Sequence, residues 1–485
     1  MKNRIAGLAL FVALAFFTVI GGCIPEDSVE WSDDGSVGLM RVQGALYLVN
    51  GQTGKLTEID CNEVECWPDI SKDGKWIAYT KVMECNSLPE GLKLLPAGQV
   101  KMIEYYAAEM KQQILDTHGI TLSLLNLPDD CPLKKNSAGW VVRYLCEKAD
   151  KELADKLGKS NIEQGKAEKI GLSQIILVPP SDLTRKKVIA TTILPAMRVR
   201  FAPNNKYLAY LTEAGSEDMQ YSLCIASLDG SITALRVDYP VAVGYSWRDD
   251  SRAVAYFSTD EKNLQAEGPL IGSVKEKTIV DVNDKLLAEV AKEGEQGTLE
   301  THQSTGKDKE AAGVIFYPWA SVKYGMDGRL LFCAQSLSLP TSQMDEARMS
   351  IFCYDPVTNT VADIIPQGIS PYLDGGASLN AFALSPDKKK LLLPMAKNRF
   401  AIYSLGDSDA KMPVEQSEGF GDKDEFKLAP AWKGTGEISC LVADNSHLFA
   451  NTKDVEGRQI VVIDPNGGLI RVLSRNWPAK VMEKF

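Results

Sequence analysis

Seven short segments of this chain repeat one pattern, and that pattern restricts the fold more than anything else in the sequence. Each places a turn between two short apolar stretches. Aligned on the turn acid, they are Trp31-Ser-Asp-Asp34-Gly35, Ser71-Lys-Asp73-Gly74, Phe201-Ala-Pro-Asn204-Asn205, Trp247-Arg-Asp-Asp250-Ser251, Gly325-Met-Asp327-Gly328, Leu384-Ser-Pro-Asp387-Lys388 and Trp432-Lys-Gly-Thr435-Gly436. Asp-Gly and Asn-Asn favour tight hairpins, because Gly and Asn accept the positive φ that such turns need. Strand text follows most copies, as in Trp76-Ile-Ala-Tyr79, Tyr207-Leu-Ala-Tyr210, Ala253-Val-Ala-Tyr256 and Leu391-Leu-Leu393. The turn positions 34, 73, 204, 250, 327, 387 and 435 are spaced by 39, 131, 46, 77, 60 and 48 residues. Spacings of about 40–50 residues suit one four-stranded unit, and the longer ones are such units with insertions.

A second pair of strands follows several copies. Ala45–Val49 precedes Gly54–Ile59, Ser222–Ala226 precedes Asp229-Gly230, and Ser350–Tyr354 precedes Asp355-Pro356. Four strands per repeat is blade anatomy. The expected fold class is therefore all-β: a β-propeller over residues 31–475 with seven four-stranded blades, six or eight also fitting the spacing. The motif, with copies two to four matching best, resembles the PD40 repeat of TolB-like β-propellers. That resemblance implies the fold and says little about function. The residues Asp34, Gly35, Asp73, Gly74, Asn204, Asp250, Asp327, Gly328 and Asp387 are expected to build the blade turns.

Two segments break the repeat. Within 97–170 the period becomes helical, first at Ile103, Tyr106, Ala107, Met110 and Ile114, then at Val141, Val142, Leu145, Ala149, Leu153 and Leu157. This predicts a two-helix insertion in the second blade. A second insertion over 262–312 is expected to be partly disordered: Val280–Val290 reads as a strand then a helix, and 292–312 is polar with few apolar residues.

The first residues read as an address. Lys2 and Arg4 precede an apolar run from Ile5 to Gly22, ending at Cys23. This is the layout of a secretory signal over 1–22. Ile20-Gly-Gly-Cys23 resembles a bacterial lipobox, which implies a lipid on Cys23, a tether over 23–30 and a cell-envelope location on the periplasmic face of the outer membrane. An uncleaved anchor is the other reading of the apolar run. Removing 1–22 would leave 51 basic against 64 acidic residues. An acidic chain without a basic patch is not built for nucleic acid. An oxidising compartment permits disulfides, and the pairs Cys333–Cys353 and Cys131–Cys146 are the candidates.

Reactive motifs are scarce. The sequence holds no GxSxG, HExxH or P-loop, and its three histidines, His118, His302 and His447, lie far apart. No metal or cofactor is expected. Asp69, Asp249 and Asp374 fall near the ends of innermost strands, and Trp67, Tyr245, Trp247, Trp319, Tyr324 and Trp432 gather before the turns. The expected function is a non-catalytic binding or scaffold module for an envelope protein or glycan. The alternative is a carboxylate-based glycan hydrolase or lyase acting at the channel mouth.

Overall fold

The computed structural model describes residues 28–42, 45–59, 67–117, 138–213, 221–232, 235–259, 272–278, 281–282, 285–286, 314–315, 322–336, 349–355, 357–358, 360–365, 382–395, 399–405, 410–414, 428–434, 436–442 and 458–483. The signal segment, Cys23, Cys131, Asp374, Trp319 and all three histidines lie outside them.

Antiparallel sheets follow one another along the chain. The first blade holds β1 (Ser28–Trp31), β2 (Val37–Val42), β3 (Ala45–Asn50) and β4 (Leu56–Glu58). The second holds β5 (Asp69–Ile70), β6 (Ile77–Cys85), β7 (Ile170–Val178) and β8 (Lys187–Thr192). Next come β9 (Ala196–Phe201), β10 (Tyr207–Glu213), β11 (Tyr221–Ser227), β12 (Leu235–Trp247), β13 (Ala253–Thr259) and β14 (Gly272–Thr278), joined in one sheet. A hairpin of β15 (Asp281–Val282) and β16 (Lys285–Leu286) stands apart. The fifth blade orders β18 (Val322–Tyr324), β19 (Leu330–Ser336), β20 (Met349–Asp355) and β21 (Thr360–Asp363), with β17 (Val314–Ile315) also on β19. The sixth holds β22 (Ala383–Leu384), β23 (Lys390–Met395), β24 (Arg399–Ser404) and β25 (Ala410–Val414). The last holds β26 (Ala431–Lys433), β27 (Glu437–Val442), β28 (Gln459–Ile463) and β29 (Leu469–Val472).

This is a β-propeller: successive antiparallel sheets, with every repeat turn between the first and second strand of its unit. The seven repeats make six sheets among the described residues, because the third and fourth share β12. That strand pairs with β11 up to Val241 and with β13 from Val241 onward, shifting register as it changes partner. The third and fourth repeats thus meet in one continuous strand. β14, inside the stretch read as an insertion, pairs with β13 along its whole length.

The turn chemistry recurs in five copies, while in the fifth Asp327 itself takes φ +55 and Gly328 +75 within a 3-10 turn. Ser32, Ser71 and Ser385 each donate to the acid two residues on, at 2.6, 2.8 and 2.6 Å. The same hydroxyls accept the backbone N–H of Val37, Trp76 and Lys390. Asp34, Asp73, Asn204, Asp250 and Asp387 each accept the N–H two residues ahead, fixing the turn as Asx motifs do. Gly35 and Gly74 take φ +65 and +67 at the next position. In the third, fourth and sixth copies Asn205, Ser251 and Lys388 adopt the same left-handed φ.

The repeated tryptophans join blades. Trp247 Nε1 donates to the Arg200 carbonyl at 3.2 Å, Trp432 Nε1 to the Ala383 carbonyl at 3.1 Å, and Trp31 Nε1 to the Ser439 hydroxyl at 2.8 Å. The last of these spans the first and last blades. There β1 lies beside β26, and Val29, Met40 and Tyr47 share an apolar cluster with Leu441, Leu473, Trp477 and Val481. Trp477 Nε1 also donates to the Gly54 carbonyl at 2.6 Å. Among the described residues the ring closes by packing, with no strand of one terminal blade paired in the other's sheet.

Among the described residues five helices separate β6 from β7: α1 (Leu88–Leu94), α2 (Ala97–Asp116), α3 (Ala138–Glu147), α4 (Lys151–Leu157) and α5 (Lys159–Ala167). The sequence had suggested two. Asp150 divides the second stripe by capping α4, accepting the Leu153 N–H at 3.0 Å, and Gly158 at φ +78 ends it. The stripe Ile103, Tyr106, Ala107, Met110 and Ile114 is buried as the periodicity predicted. It packs with Trp140, Val141 and Leu145 of α3 and with Ile170 and Leu172 of β7, so the helices cover each other and their own blade. Gln99 ties the layer down by accepting the Ile193 N–H at 2.9 Å. No described helix is long and apolar enough to cross a membrane.

Cys333 and Cys353 are free thiols, which corrects the expected pair. The register sets Cys333 opposite Ile351 and Cys353 opposite Leu331. They are diagonal neighbours, about 7–8 Å apart along such a ladder, beyond the usual reach of a disulfide.

Candidate functional site

The first strands of all seven repeats face one central channel of about 440 Å³. One repeat position supplies its wall. Four residues before each turn position stand Glu30, Asp69, Arg200, Ser246, Lys323, Ala383 and Ala431, and all seven line the channel. The next residue in the strand, as at Trp31, Trp247 and Trp432, reaches a neighbouring blade through its indole N–H while still bordering the channel.

The charged members are concentrated on blades one, two, three and five. Arg200 Nη1 contacts Glu30 Oε1 and Oε2 at 2.5 and 2.7 Å and Asp69 Oδ1 at 3.2 Å. Asp69 Oδ2 accepts the Phe201 N–H at 2.6 Å. Burial pushes the Asp69 carboxyl well up, Arg200 opposes this, and the Glu30 carboxylate adds to it. Burial works against the Arg200 charge, but Glu30 and Asp69 hold it above the ordinary guanidinium range.

Arg198 sits one bulge earlier on β9. The register of β9 on β10 gains a residue there, and Arg198 takes φ +48. Bulges of this kind re-aim side chains. The Arg198 guanidinium lies 5.4 Å from the Tyr245 ring centroid. Tyr245 in turn donates its hydroxyl to the Arg198 carbonyl and, at 2.9 Å, to the Ala209 carbonyl. Burial, and then the Arg200 charge, lowers the Arg198 pKa.

Lys323 is half-buried on the channel wall, its Nζ 5.6 Å from the centroid of Phe382. Burial, followed by the Arg200 and Arg198 charges, lowers its pKa to about 8. It has no ion pair or hydrogen bond among the described residues.

At the turn side of the channel the residue before the turn acid forms a second charged set. Asp249 lies 4.0 Å from Lys72 Nζ and 2.5 Å from Lys388 Nζ. These partners belong to blades two, four and six, so the two ion pairs link non-adjacent blades. Asp33, also at this mouth, has its carboxyl raised by burial, against the pull of Lys72.

Of the carboxylates expected at the channel, Asp69 is inside and Asp249 is at the mouth. Tyr245, Trp247, Tyr324 and Trp432 line it, whereas Trp67 packs into the core of the third and fourth repeats. Glu30, Arg198, Arg200 and Lys323 were missed by motif reading. Counting four residues back from each turn finds three of them directly. Glu30 had been assigned to the tether, but β1 already begins at Ser28.

The molecule is thus a β-propeller with a charged axial channel. No protein-family model matches the sequence, and the comparison with curated proteins gives no match. Among solved structures it is similar to TolB from Acinetobacter baumannii, with 14% identity and a TM-score of 0.34 over 61% of this chain and 58% of that one. It is similar to hydrazine synthase from Kuenenia stuttgartiensis, with 11% identity and a TM-score of 0.40 over 79% of this chain and 78% of that one. A third similarity is to an oligogalacturonate lyase from Vibrio parahaemolyticus, with 12% identity and a TM-score of 0.40 over 75% and 72% of the two chains.

Proposed function

We propose that this chain is a cell-envelope protein held to a membrane through lipid on Cys23, whose propeller serves as a non-catalytic binding or scaffold module for an envelope protein or glycan. The observation that carries the non-catalytic part is the state of the channel carboxylates. Glu30 and Asp69 both accept from Arg200, and the remaining Asp69 oxygen accepts the Phe201 N–H. Acid–base catalysis at a glycosidic bond needs one carboxyl to donate a proton and another to attack or activate water. Carboxylates already engaged by a guanidinium fill neither role well. The hydrolase or lyase alternative draws its support from the raised Asp69 carboxyl alone.

Site-specific photo-cross-linkers at exposed turn residues such as Lys75 test the reading in cells. A discrete adduct with one envelope protein or glycan supports it. Turnover of a polysaccharide or peptidoglycan panel by the purified chain, abolished by Asp69→Asn, overturns it. The anchor is tested separately: incorporation of labelled palmitate should be lost in Cys23→Ala, and labelling that survives would remove Cys23 as the attachment point.

A further inference from the structure

The channel ring is unequal around its circumference. Arg200 is matched by Glu30 and Asp69 on the preceding blades. Lys323 stands on the other side, between Ser246 of blade four and the small side chains of Ala383 and Ala431 on blades six and seven. Among the described residues, the inner wall carries three cations, Arg198, Arg200 and Lys323, against two carboxylates. The mouth groups Asp33, Lys72, Asp249 and Lys388 balance one another. Among the described residues Lys323 has no ion-pair partner, and it stands beside an opening bordered by Phe382 and Trp432.

We propose that the channel binds a small organic carboxylate, its anionic group on Lys323 with the Ser246 hydroxyl and its apolar body in the gap beside Ala383 and Ala431. Withdrawing a cation from water without an ion-pair partner is costly, and a bound anion offsets that cost. A single amine beside apolar walls suits a monoanion with an apolar body better than a phosphate dianion. The flat walls of Phe382 and Trp432 suit an apolar body, as small-molecule sites usually combine apolar lining with a few polar groups. This site is independent of any partner on the outer faces of the propeller.

The charged groups acting on Lys323 are Arg200 and Arg198 from β9, Glu30 from β1 and the Cys333 thiol from β19. Its amine is charged below about pH 8 and loses its proton above that. Carboxylate binding favours the charged form, so it should draw in a proton near pH 8 and weaken as pH rises further.

The test is calorimetry on the full chain in detergent, with benzoate as the anionic probe, benzyl alcohol as its neutral counterpart and inorganic phosphate as the competing anion. Benzoate should bind about tenfold or more tightly than benzyl alcohol, the gain expected of a charge-assisted hydrogen bond. Titrations near pH 8 in two buffers of different ionisation enthalpy should show proton uptake. Lys323→Met should lose both the preference and the uptake while its melting temperature stays equal or rises, since an uncompensated charge has been removed. Ala383→Phe should block benzoate with Lys323 intact. The proposal is overturned if folded wild-type chain does not bind benzoate, if it binds both benzene probes equally, if phosphate binds more tightly, or if Lys323→Met binds benzoate unchanged.

Discussion

At the scale of single residues, the turn decides how the strands meet, and its positions are not interchangeable. Gly74 holds φ +67, and a Cβ there would stand 3.2 Å from the Ser32 Cβ on the neighbouring blade. Gly74→Ala should cost about 1–2 kcal/mol in urea unfolding, the usual penalty for a left-handed non-glycine residue. Asn205 takes the equivalent conformation with a buried Oδ1 that has no hydrogen-bond partner among the described residues. Asn205→Gly should therefore act in the opposite direction, raising stability by up to about 1 kcal/mol. Turn carboxylates also set an acid limit. Hydrogen bonds from the Ser227 hydroxyl and the Ser231 N–H bring Asp229 down to about 2. A depressed folded pKa stabilises above the unfolded value and is lost as pH falls through the folded one. Stability should thus drop between about pH 4 and about pH 2, and Ser227→Ala should flatten that slope in a pH series of chemical denaturations. The turn residues were legible because their chemistry is local. Of the channel residues Asp69 was read, but Glu30, Arg200 and Lys323 were not, although they keep step with the turns, because Glu, Asp, Arg, Ser, Lys and Ala share no residue type for a motif to register.

Single elements show where local signals stop being sufficient. The buried stripe of α2 could be read from its spacing alone, since one face of a helix is either apolar or not. The division of the following stripe was hidden, because Asp150 looks like any exposed acid until its carboxylate is seen to cap α4. β12 shows a related limit: the strand changes partner at Val241 and continues, a switch set by tertiary pairing that no local signal marks. Trp140 is the anchor of the helical layer, fully buried with its Nε1 on the Gly171 carbonyl at 2.8 Å. Trp140→Ala should cost about 3–5 kcal/mol. Limited proteolysis should then cut first within 88–167 while the blades stay protected. Simultaneous digestion of blades and helices would show that the layer is integral to the ring.

For the whole molecule, repeat spacing gave the propeller but not its seam. Closure rests on Trp31, Trp477 and the apolar cluster they adjoin; Trp31 opens the first repeat motif, but Trp477 lies in none, so nothing in the text pairs the two. Trp477→Ala should lower the unfolding midpoint of the entire ring, because the first and last blades lose the contact that joins them. A two-step transition, with most blades unaffected, would mean that the ring tolerates an open seam. The same closure has a consequence for the order of the chain. Most sheets are woven from a single stretch, and Val29 and Val481 meet in one cluster. The ring therefore has no intrinsic first blade. A circularly permuted gene, with the old ends linked and new ones opened between β25 and β26, asks for no strand to change its partners. Only the joint between the third and fourth repeats is closed to such a cut, since β12 belongs to both.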